Sequence, residues 1–269
     1  MIQRLRVRYA KRGRLRFTSH RDISRAVERA VRRAGIPVAF SAGFTPHPKI
    51  SYAGAAPTGV ASEAEYLELG LTDIRDPARV RADLDAALPP GLDIVDVAEA
   101  PAGTSLADRL QASEWRIRLD GVRPDTAETA VNTFMAADEI EVERLTKKGR
   151  RRFDARAAVS ACGLDRRAPE TADAPSAILR MVVRHAVPAV RPDDVLAGLR
   201  QVAGLAPPSP PLVTRLAQGL LDEATGELAD PLDPDREAVP PPGEDAMAAH
   251  GAVPRPAGTE SADVVSTRP

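Results

Sequence analysis

Charged and apolar residues alternate at the start of the chain, which predicts β-strands. The alternation covers residues 4–9 and 14–18, on either side of a short turn. An apolar stripe with helical spacing comes next and is formed by Ile23, Ala26, Val27, Ala30, Val31 and Ala34. Ser19 fits the N-cap of this helix, and Gly35 fits its end. The pattern therefore predicts strand segments that lead directly into an amphipathic helix.

Further strands and one more helix are expected before residue 100. Short strand-like runs occupy residues 38–41 and 50–53, and a longer alternating run occupies 63–72. A helix opened by Asp76 follows, and a last strand covers residues 92–98. The resulting order β-α-β-β-α-β is the ferredoxin-like arrangement, in which both helices cover one face of an antiparallel sheet.

A weaker version of this order recurs in the second half. Strands are predicted at 115–119, 140–146, 151–159, 178–186 and 212–220, and helices at 125–137 and 192–202. The halves share no sequence identity, so the repeat depends on element order alone. The predicted fold class is α+β, with two tandem ferredoxin-like (βαββαβ) units and a disordered acidic C-terminal tail. Domain 1–100 and domain 114–221 are joined by a linker, residues 101–113.

The composition changes after residue 221. Residues 222–269 contain eleven Asp or Glu against three Arg, together with eight Pro. Such a segment cannot bury enough apolar surface to offset the entropy lost on ordering, so we expect it to be disordered. One hypothesis is that this tail competes with a polyanion for a basic face, and the alternative is an inert solubilising tail.

Basic residues are concentrated near the N-terminus. The first fifty residues contain eleven Arg and two Lys against Asp22 and Glu28, although the whole chain carries a net charge of −1. Arginines outside the apolar stripe of the predicted helix would face solvent, and fixed cations on a rigid face are suited to bind phosphates. A second basic segment, residues 147–151, joins two predicted strands. The predicted substrate-binding residues are Arg14, Arg16, His20, Arg21, Arg25, Arg29, His47, Lys49, Lys147, Lys148, Arg150 and Arg151.

Two histidines are candidates for chemistry. His20 occupies the first position of the predicted helix, where it could contact a phosphate, act as a general acid or base, or be an exposed first-turn residue. His47 lies between two prolines that restrict the backbone and position the imidazole, with Lys49 close by. His20, His47 and Lys49 are therefore catalytic candidates without an assigned role.

The cysteine content limits the possible chemistry. Cys162 is the only Cys, so an internal disulfide is excluded, and one thiolate cannot hold an iron–sulfur cluster. No spacing of His and Cys matches a structural zinc site. Without a secretory leader or an apolar run near eighteen residues, the chain is expected to be cytoplasmic and not membrane-bound.

Three elements in the first half carry a family resemblance. They are K-x-G-x-L-R-F-x-S-H-x-D from Lys11, G-I-P-V-A-F-S-x-G-F-x-P-H-P-K-I-S from Gly35, and G-x-x-S-E-A-E-Y from Gly59. With these elements the chain resembles the radical SAM-linked protein family, a bacterial domain family of unknown function, over residues 4–100 and more loosely to 221. The resemblance implies a radical SAM enzyme encoded nearby as the partner, which would supply the Fe–S cluster and S-adenosylmethionine. It transfers no catalytic residues and implies no cofactor on this chain.

Three functions are consistent with the sequence. The leading hypothesis is a non-catalytic accessory protein of a radical SAM enzyme that binds or presents an anionic substrate, with RNA as the expected class. An alternative is a metal-independent endoribonuclease that uses His20 and His47. The third is a purely structural partner that stabilises the radical SAM enzyme without contacting its substrate.

Overall fold

A nine-stranded, mostly antiparallel sheet runs through the computed structural model of the chain, which describes residues 1–146, 149–166 and 175–238. Five helices accompany it in the described residues, so the protein is of mixed α+β class. Residues Met1–Ala238 form one compact unit.

The first half follows the order β-α-β-β-α-β. Its elements are β1 (Gln3–Lys11), α1 (His20–Arg33), β2 (Ile50–Ala53), β3 (Ala61–Leu71), α2 (Pro77–Ala87) and β4 (Leu92–Glu99). The strands lie in the order β4-β1-β3-β2 and all pair antiparallel. Strand residues such as Leu5, Val7 and Leu69 face a core that also contains Val27 and Leu84 of the two helices. Both helices therefore cover the same face of the sheet.

Local sequence explains where α1 begins. The Ser19 hydroxyl accepts a hydrogen bond from the backbone N–H of Asp22 at 3.2 Å and donates one to the Asp22 carboxylate at 2.7 Å. This N-cap satisfies one of the free N–H groups of the first turn. The predicted start of the helix is confirmed.

The second half contains one strand more than the sequence pattern predicts. Its elements are β5 (Ala112–Asp120), α3 (Pro124–Ala136), β6 (Glu141–Thr146), β7 (Gly149–Asp154), β8 (Val159–Leu164), β9 (Ser176–Arg184), α4 (Pro192–Ala203) and β10 (Leu212–Leu221). The large sheet continues as β10-β5-β9-β8, with antiparallel pairing, while β6 and β7 form a separate hairpin.

The predicted single strand 151–159 is wrong. The carboxylate of Asp154 accepts hydrogen bonds from the backbone N–H groups of Ile140, Arg156 and Ala157 at 3.0, 2.8 and 3.2 Å. These bonds hold a tight turn that ends β7 and lets the chain enter the large sheet as β8. Local Asp-to-backbone bonding of this kind competes with strand pairing.

The two halves share one sheet. β3 and β10 pair in parallel, with Ala61 opposite Thr214 and Ser62 opposite Arg215. The predicted linker is structured at its end, since it contains a 3-10 turn (Ala107–Arg109) and the start of β5.

Disorder from Asp222 onward was also predicted, and this is wrong for residues 222–238. They contain β11 (Leu228–Ala229), which pairs with β10, and α5 (Asp233–Ala238). Leu232 between them is completely buried in a small core with Tyr66 and Leu106. The acidic residues here bind arginines of β1, as described below, so their charge promotes folding instead of opposing it. Residues 239–269 lie outside the described residues.

Candidate functional site

The arginines of β1 are occupied by ion pairs within the protein. Arg6 is fully buried, and its guanidinium donates to Asp235 at 2.8 Å and to Glu68 at 2.9 Å. Arg8 contacts Asp230 at 3.3 Å. Arg12, just before α1, pairs with Glu63 and with Asp93, the latter at 2.8 Å. Much of the N-terminal positive charge is therefore neutralised internally.

The arginines on the outer side of α1 are different. Arg21, Arg25 and Arg29 are exposed, and their i, i+4 spacing places them about 6 Å apart along the helix axis. Arg25 approaches Asp22 at 3.5 Å, whereas neither Arg21 nor Arg29 forms an ion pair within the described residues. We call these three residues the α1 cationic face. Because the opposite side of α1 is packed in the core, this face is held rigidly toward solvent.

A stacking surface adjoins the start of α1. The guanidinium of Arg16 lies 4.5 Å from the centre of the Phe17 ring, and 60% of Phe17 is exposed. Both residues belong to a 3-10 turn (Gly13–Phe17), which is fixed by a 2.7 Å hydrogen bond from Gly59 N–H to the carbonyl of Arg16. Arg14 of the same turn is exposed. The turn therefore offers cations beside an accessible aromatic ring.

His20 begins α1 and contacts an aromatic ring. Its imidazole packs edge-on against Tyr52 of β2, with ring centres 4.9 Å apart and an angle of 89° between the planes. Burial raises the pKa of Tyr52 to about 12, so the phenol is neutral at physiological pH. The other side of the His20 residue is exposed to solvent.

His47 and Lys49 line a groove on the other side of β2. The Ser41 hydroxyl accepts a 3.0 Å bond from His47 N–H, and the Ser41 N–H donates to the His47 carbonyl at 2.8 Å. These bonds close the loop that carries the prolines. A cavity of about 350 Å³ beside it is lined by both residues and by Arg4, Ser51 and Glu68.

The structure does not bring His20 and His47 together. His20 packs beside Tyr52 within β2, whereas His47 lies in the loop before β2, five positions earlier in the chain than Tyr52. The contacts of His20 are with Tyr52 and Ser24, and none involves the His47 loop. The geometry thus gives no support to an acid–base pair formed by the two imidazoles.

The second predicted basic segment is partly neutralised. Lys147 and Lys148 lie outside the described residues. Arg150 pairs with Glu143 at 3.2 Å, and its side chain is 77% exposed. Arg151 is exposed and forms no ion pair with the described residues. The hairpin β6–β7 therefore contributes one free guanidinium among the residues that can be placed.

Sequence reasoning missed a buried ionic cluster at the junction of the halves. Glu65 of β3 accepts a hydrogen bond from the Arg215 guanidinium and another, at 3.1 Å, from Ala56 N–H. The Lys11 ammonium donates to the carbonyl of Pro57 at 3.2 Å. All three charged side chains are at least 97% buried, and burial lowers the pKa of Lys11. The available signal for this cluster was the presence of charged residues in strands whose neighbouring positions are apolar.

A hydrogen-bonded pair of a buried serine and a histidine was also missed. His185 Nδ1 lies 2.7 Å from the Leu110 carbonyl, which can only accept, so this nitrogen carries the proton. His185 Nε2 then accepts from the Ser113 hydroxyl at 2.7 Å. Burial lowers the pKa of His185, which favours the neutral ring. Ser113 is only 1% exposed, so its hydroxyl is not accessible to a substrate. No local sequence pattern signals this long-range pair.

One protein family matches most of the chain. Residues 4–192 match the family described as "Uncharacterized protein conserved in bacteria (DUF2344)". The chain belongs to this family. The DUF2344 region includes the α1 cationic face and the His47 groove, whereas Arg215 of the buried cluster and Asp235 lie beyond its end.

Solved structures show only distant similarity. A chain of the "Crystal Structure of a Cbf5-Nop10-Gar1 Complex" matches with 10% identity and a TM-score of 0.39, over 78% of this chain and 47% of that one. The chain thus spans about half the length of that relative. The "Crystal Structure of an Unknown Protein from Galdieria sulphuraria" matches with 12% identity and a TM-score of 0.23, over 81% and 99% of the two chains. No curated protein matches the sequence.

Two kinds of feature are absent from the described residues. No group of three or more His, Cys, Asp or Glu side chains in these ranges is placed to hold a metal ion. None of the helices they form is long and apolar enough to cross a membrane.

Proposed function

We propose that the chain is a non-catalytic accessory protein that binds RNA through the α1 cationic face. The supporting observation is a contrast between two sets of arginines. In β1, Arg6 forms ion pairs with Glu68 and Asp235, and Arg8 forms one with Asp230. Arg21 and Arg29 of α1 have no ion pair in the described part of the chain. Exposed guanidinium groups on a rigid helix neutralise phosphates and release their counterions.

Single-stranded RNA is the substrate class that fits the adjoining turn. Phe17 is exposed immediately before the cationic face, and the guanidinium of the partly buried Arg16 lies over its ring. Unpaired bases stack on aromatic rings and on guanidinium planes, and RNA is recognised mainly where its bases are unpaired. An exposed aromatic ring beside a row of cations suits a flexible single strand better than a duplex, because the bases of a duplex are already paired and stacked.

We also propose a radical SAM enzyme encoded nearby as the partner of this cytoplasmic protein, with the Fe–S cluster and S-adenosylmethionine on that partner. Support comes from the three sequence elements that resemble the radical SAM-linked family. The tandem ferredoxin-like arrangement belongs to the same proposal. The strand orders β4-β1-β3-β2 and β10-β5-β9-β8, each with two helices in sequence between its strands, support two such units.

The RNA proposal is tested by fluorescence anisotropy with a labelled single-stranded RNA at low salt. A variant with Arg21, Arg25 and Arg29 all changed to Glu should lose at least about tenfold in affinity, since it replaces three favourable charges by repulsive ones. Arg200→Glu, at an exposed position of α4, is the control for a charge reversal outside α1 and should bind like the unmodified chain. Equal affinity of the triple variant and the control would disprove the proposed interface.

Co-purification tests the partnership. Capture of the tagged chain from its native host should recover a radical SAM enzyme, which is recognised by three closely spaced Cys residues that bind its Fe–S cluster. If the enzyme is recovered but RNA binding is absent, the purely structural partner is favoured. RNA cleavage that is lost in a His20→Ala, His47→Ala double variant would favour the endoribonuclease instead.

A further inference from the structure

A continuous groove crosses the sheet face that α1 and α2 leave uncovered. In β1 and β3, Leu5, Leu67 and Leu69 face the helices, so the alternate residues Arg4 and Glu68 face the opposite side. Two adjoining cavities of about 350 and 310 Å³ lie there and share Arg4, Ser51 and Glu68 in their walls. Each falls in the size range of small-molecule sites.

One end of the groove is cationic and preorganised. His47 and Lys49 are exposed at this end, and Lys49 forms no ion pair in the described residues. The Ser41–His47 backbone bonds and the two prolines that flank His47 hold the loop in place. Arg4 lies in the wall that both cavities share, where its Nη2 is fixed by the carbonyls of Pro101 and Thr104, both at 3.0 Å, and its Nε lies 4.0 Å from Glu68. His47 and Lys49 therefore make this end resemble a receptor for a phosphate.

A carboxylate occupies the middle of the groove. Glu68 Oε1 accepts from Arg6 at 2.9 Å, and its side chain remains 20% exposed. Glu68 Oε2 has no hydrogen-bond donor among the described residues. A partly buried carboxylate with a free oxygen accepts hydroxyl donors, and acidic side chains bind ribose hydroxyls in this way.

The other lobe has a mixed lining. Ala53, Leu106 and Ala107 form part of its wall, and Thr104 and Ser105 supply polar groups at its side. A wall that combines apolar contacts with a few polar atoms can accept a nucleobase.

We propose that this groove binds a ribonucleoside 5′-phosphate unit. The phosphate lies at His47 and Lys49, the ribose hydroxyls bind Glu68, and the base occupies the lobe beside Leu106. The unit is either a free mononucleotide or the 5′ end of an RNA. The groove is on the opposite face of the sheet from the α1 cationic face, so this site does not depend on the function proposed for that face.

Isothermal titration calorimetry of the full chain with AMP, adenosine and 2′-deoxy-AMP tests the site. Saturable AMP binding is expected, with adenosine at least about tenfold weaker because it lacks the charge-assisted phosphate contacts. Deoxy-AMP should bind several-fold more weakly than AMP. Lys49→Met, an exposed change that leaves the core intact, should reduce AMP affinity to the level of adenosine, while Arg200→Met should change nothing.

Glu68 is tested by a difference between ligands. In Glu68→Gln the preference for AMP over deoxy-AMP should shrink, and circular dichroism verifies that the variant is folded. Tighter binding of a 5′-phosphorylated RNA than of AMP by the α1 triple variant, lost when Lys49→Met is added to it, would identify the RNA end as the natural ligand. Equal affinities would identify the free nucleotide. The α1 triple variant should still bind AMP, so failure of the RNA interface is distinguishable. The proposal would be overturned if neither AMP nor the 5′-phosphorylated RNA bound saturably, or if Lys49→Met left the affinity for AMP unchanged.

Discussion

Arg6 and Asp235 are 229 positions apart in the sequence and form an ion pair in which Arg6 Nη1 lies 2.8 Å from both carboxylate oxygens, with neither side chain exposed. Asp235 also contacts Arg109 at 2.9 Å. The remaining donors of Arg6 reach Glu68 and Thr104, so its guanidinium is fully engaged. The segment that carries Asp235 is therefore an integral part of the folded unit.

Replacing Asp235 by Asn should be strongly destabilising. The substitution removes the fully buried carboxylate that Arg6 and Arg109 share and leaves Arg6 with Glu68 alone, and breaking a buried pair on one side costs about 3–5 kcal/mol. Urea unfolding followed by circular dichroism measures the loss. Asp233→Asn is the control, because Asp233 binds the exposed Arg236 and such surface pairs contribute about 1 kcal/mol or less. Similar losses in the two variants would show that the segment is only loosely attached.

Sequence patterns predict the local features of this fold better than its long-range pairings. The N-cap of α1 is visible because Ser19 and Asp22 are three residues apart, and the apolar stripe of the helix is equally local. The strand β8 is hidden because the Asp154 turn depends on Ile140, fourteen residues away. The docking of residues 222–238 is hidden because the partner of Asp235 is at the other end of the chain.

The same distinction applies to the candidate site. Helical periodicity places Arg25, Arg29, Arg32 and Arg33 outside the apolar stripe of α1, and all four are exposed. Net charge alone could not show that Arg6 and Arg8 are neutralised, since Asp235 and Asp230 belong to a segment whose composition is typical of disorder. The position of His47 relative to His20 depends on strand order, which no motif spacing encodes.

Glu65 should be required for the stability of the junction between the two halves. In Glu65→Gln the buried Lys11 and Arg215 lose the one carboxylate between them, so the free energy of unfolding should fall by about 3–5 kcal/mol. Glu63→Gln is a matched control two residues away, because Glu63 pairs with the half-exposed Arg12 and should cost about 1 kcal/mol or less. Equal costs in urea titrations would contradict a special role of Glu65 in compensating these two buried cations.

His185 should make stability depend on pH. Burial lowers its pKa in the folded chain, so below about pH 6.5 the unfolded chain binds more protons than the folded one. The contribution of His185 to the free energy of unfolding should therefore be fully retained above this pH and decrease as the pH falls toward the pKa of His185 in the folded chain. His185→Gln should lose this component of the slope between pH 5 and 7.5. The exposed His47→Gln should retain it, and an unchanged slope in His185→Gln would contradict the assignment.

Salt dependence should resolve the individual contacts of the α1 cationic face. For single strands, log affinity falls with log salt concentration by about 0.7 per neutralised phosphate, so removal of one contacting cation should reduce the slope by about that amount. Arg21→Met and Arg29→Met should each show this reduction in anisotropy titrations at several salt concentrations. Arg25→Met should show a smaller one, because Asp22 lies 3.5 Å from Arg25 and already shares its charge. Arg200→Met should leave the slope unchanged. A uniform reduction across all four variants would mean that RNA responds to net charge alone, whereas the graded order requires that the strand lies along this helix.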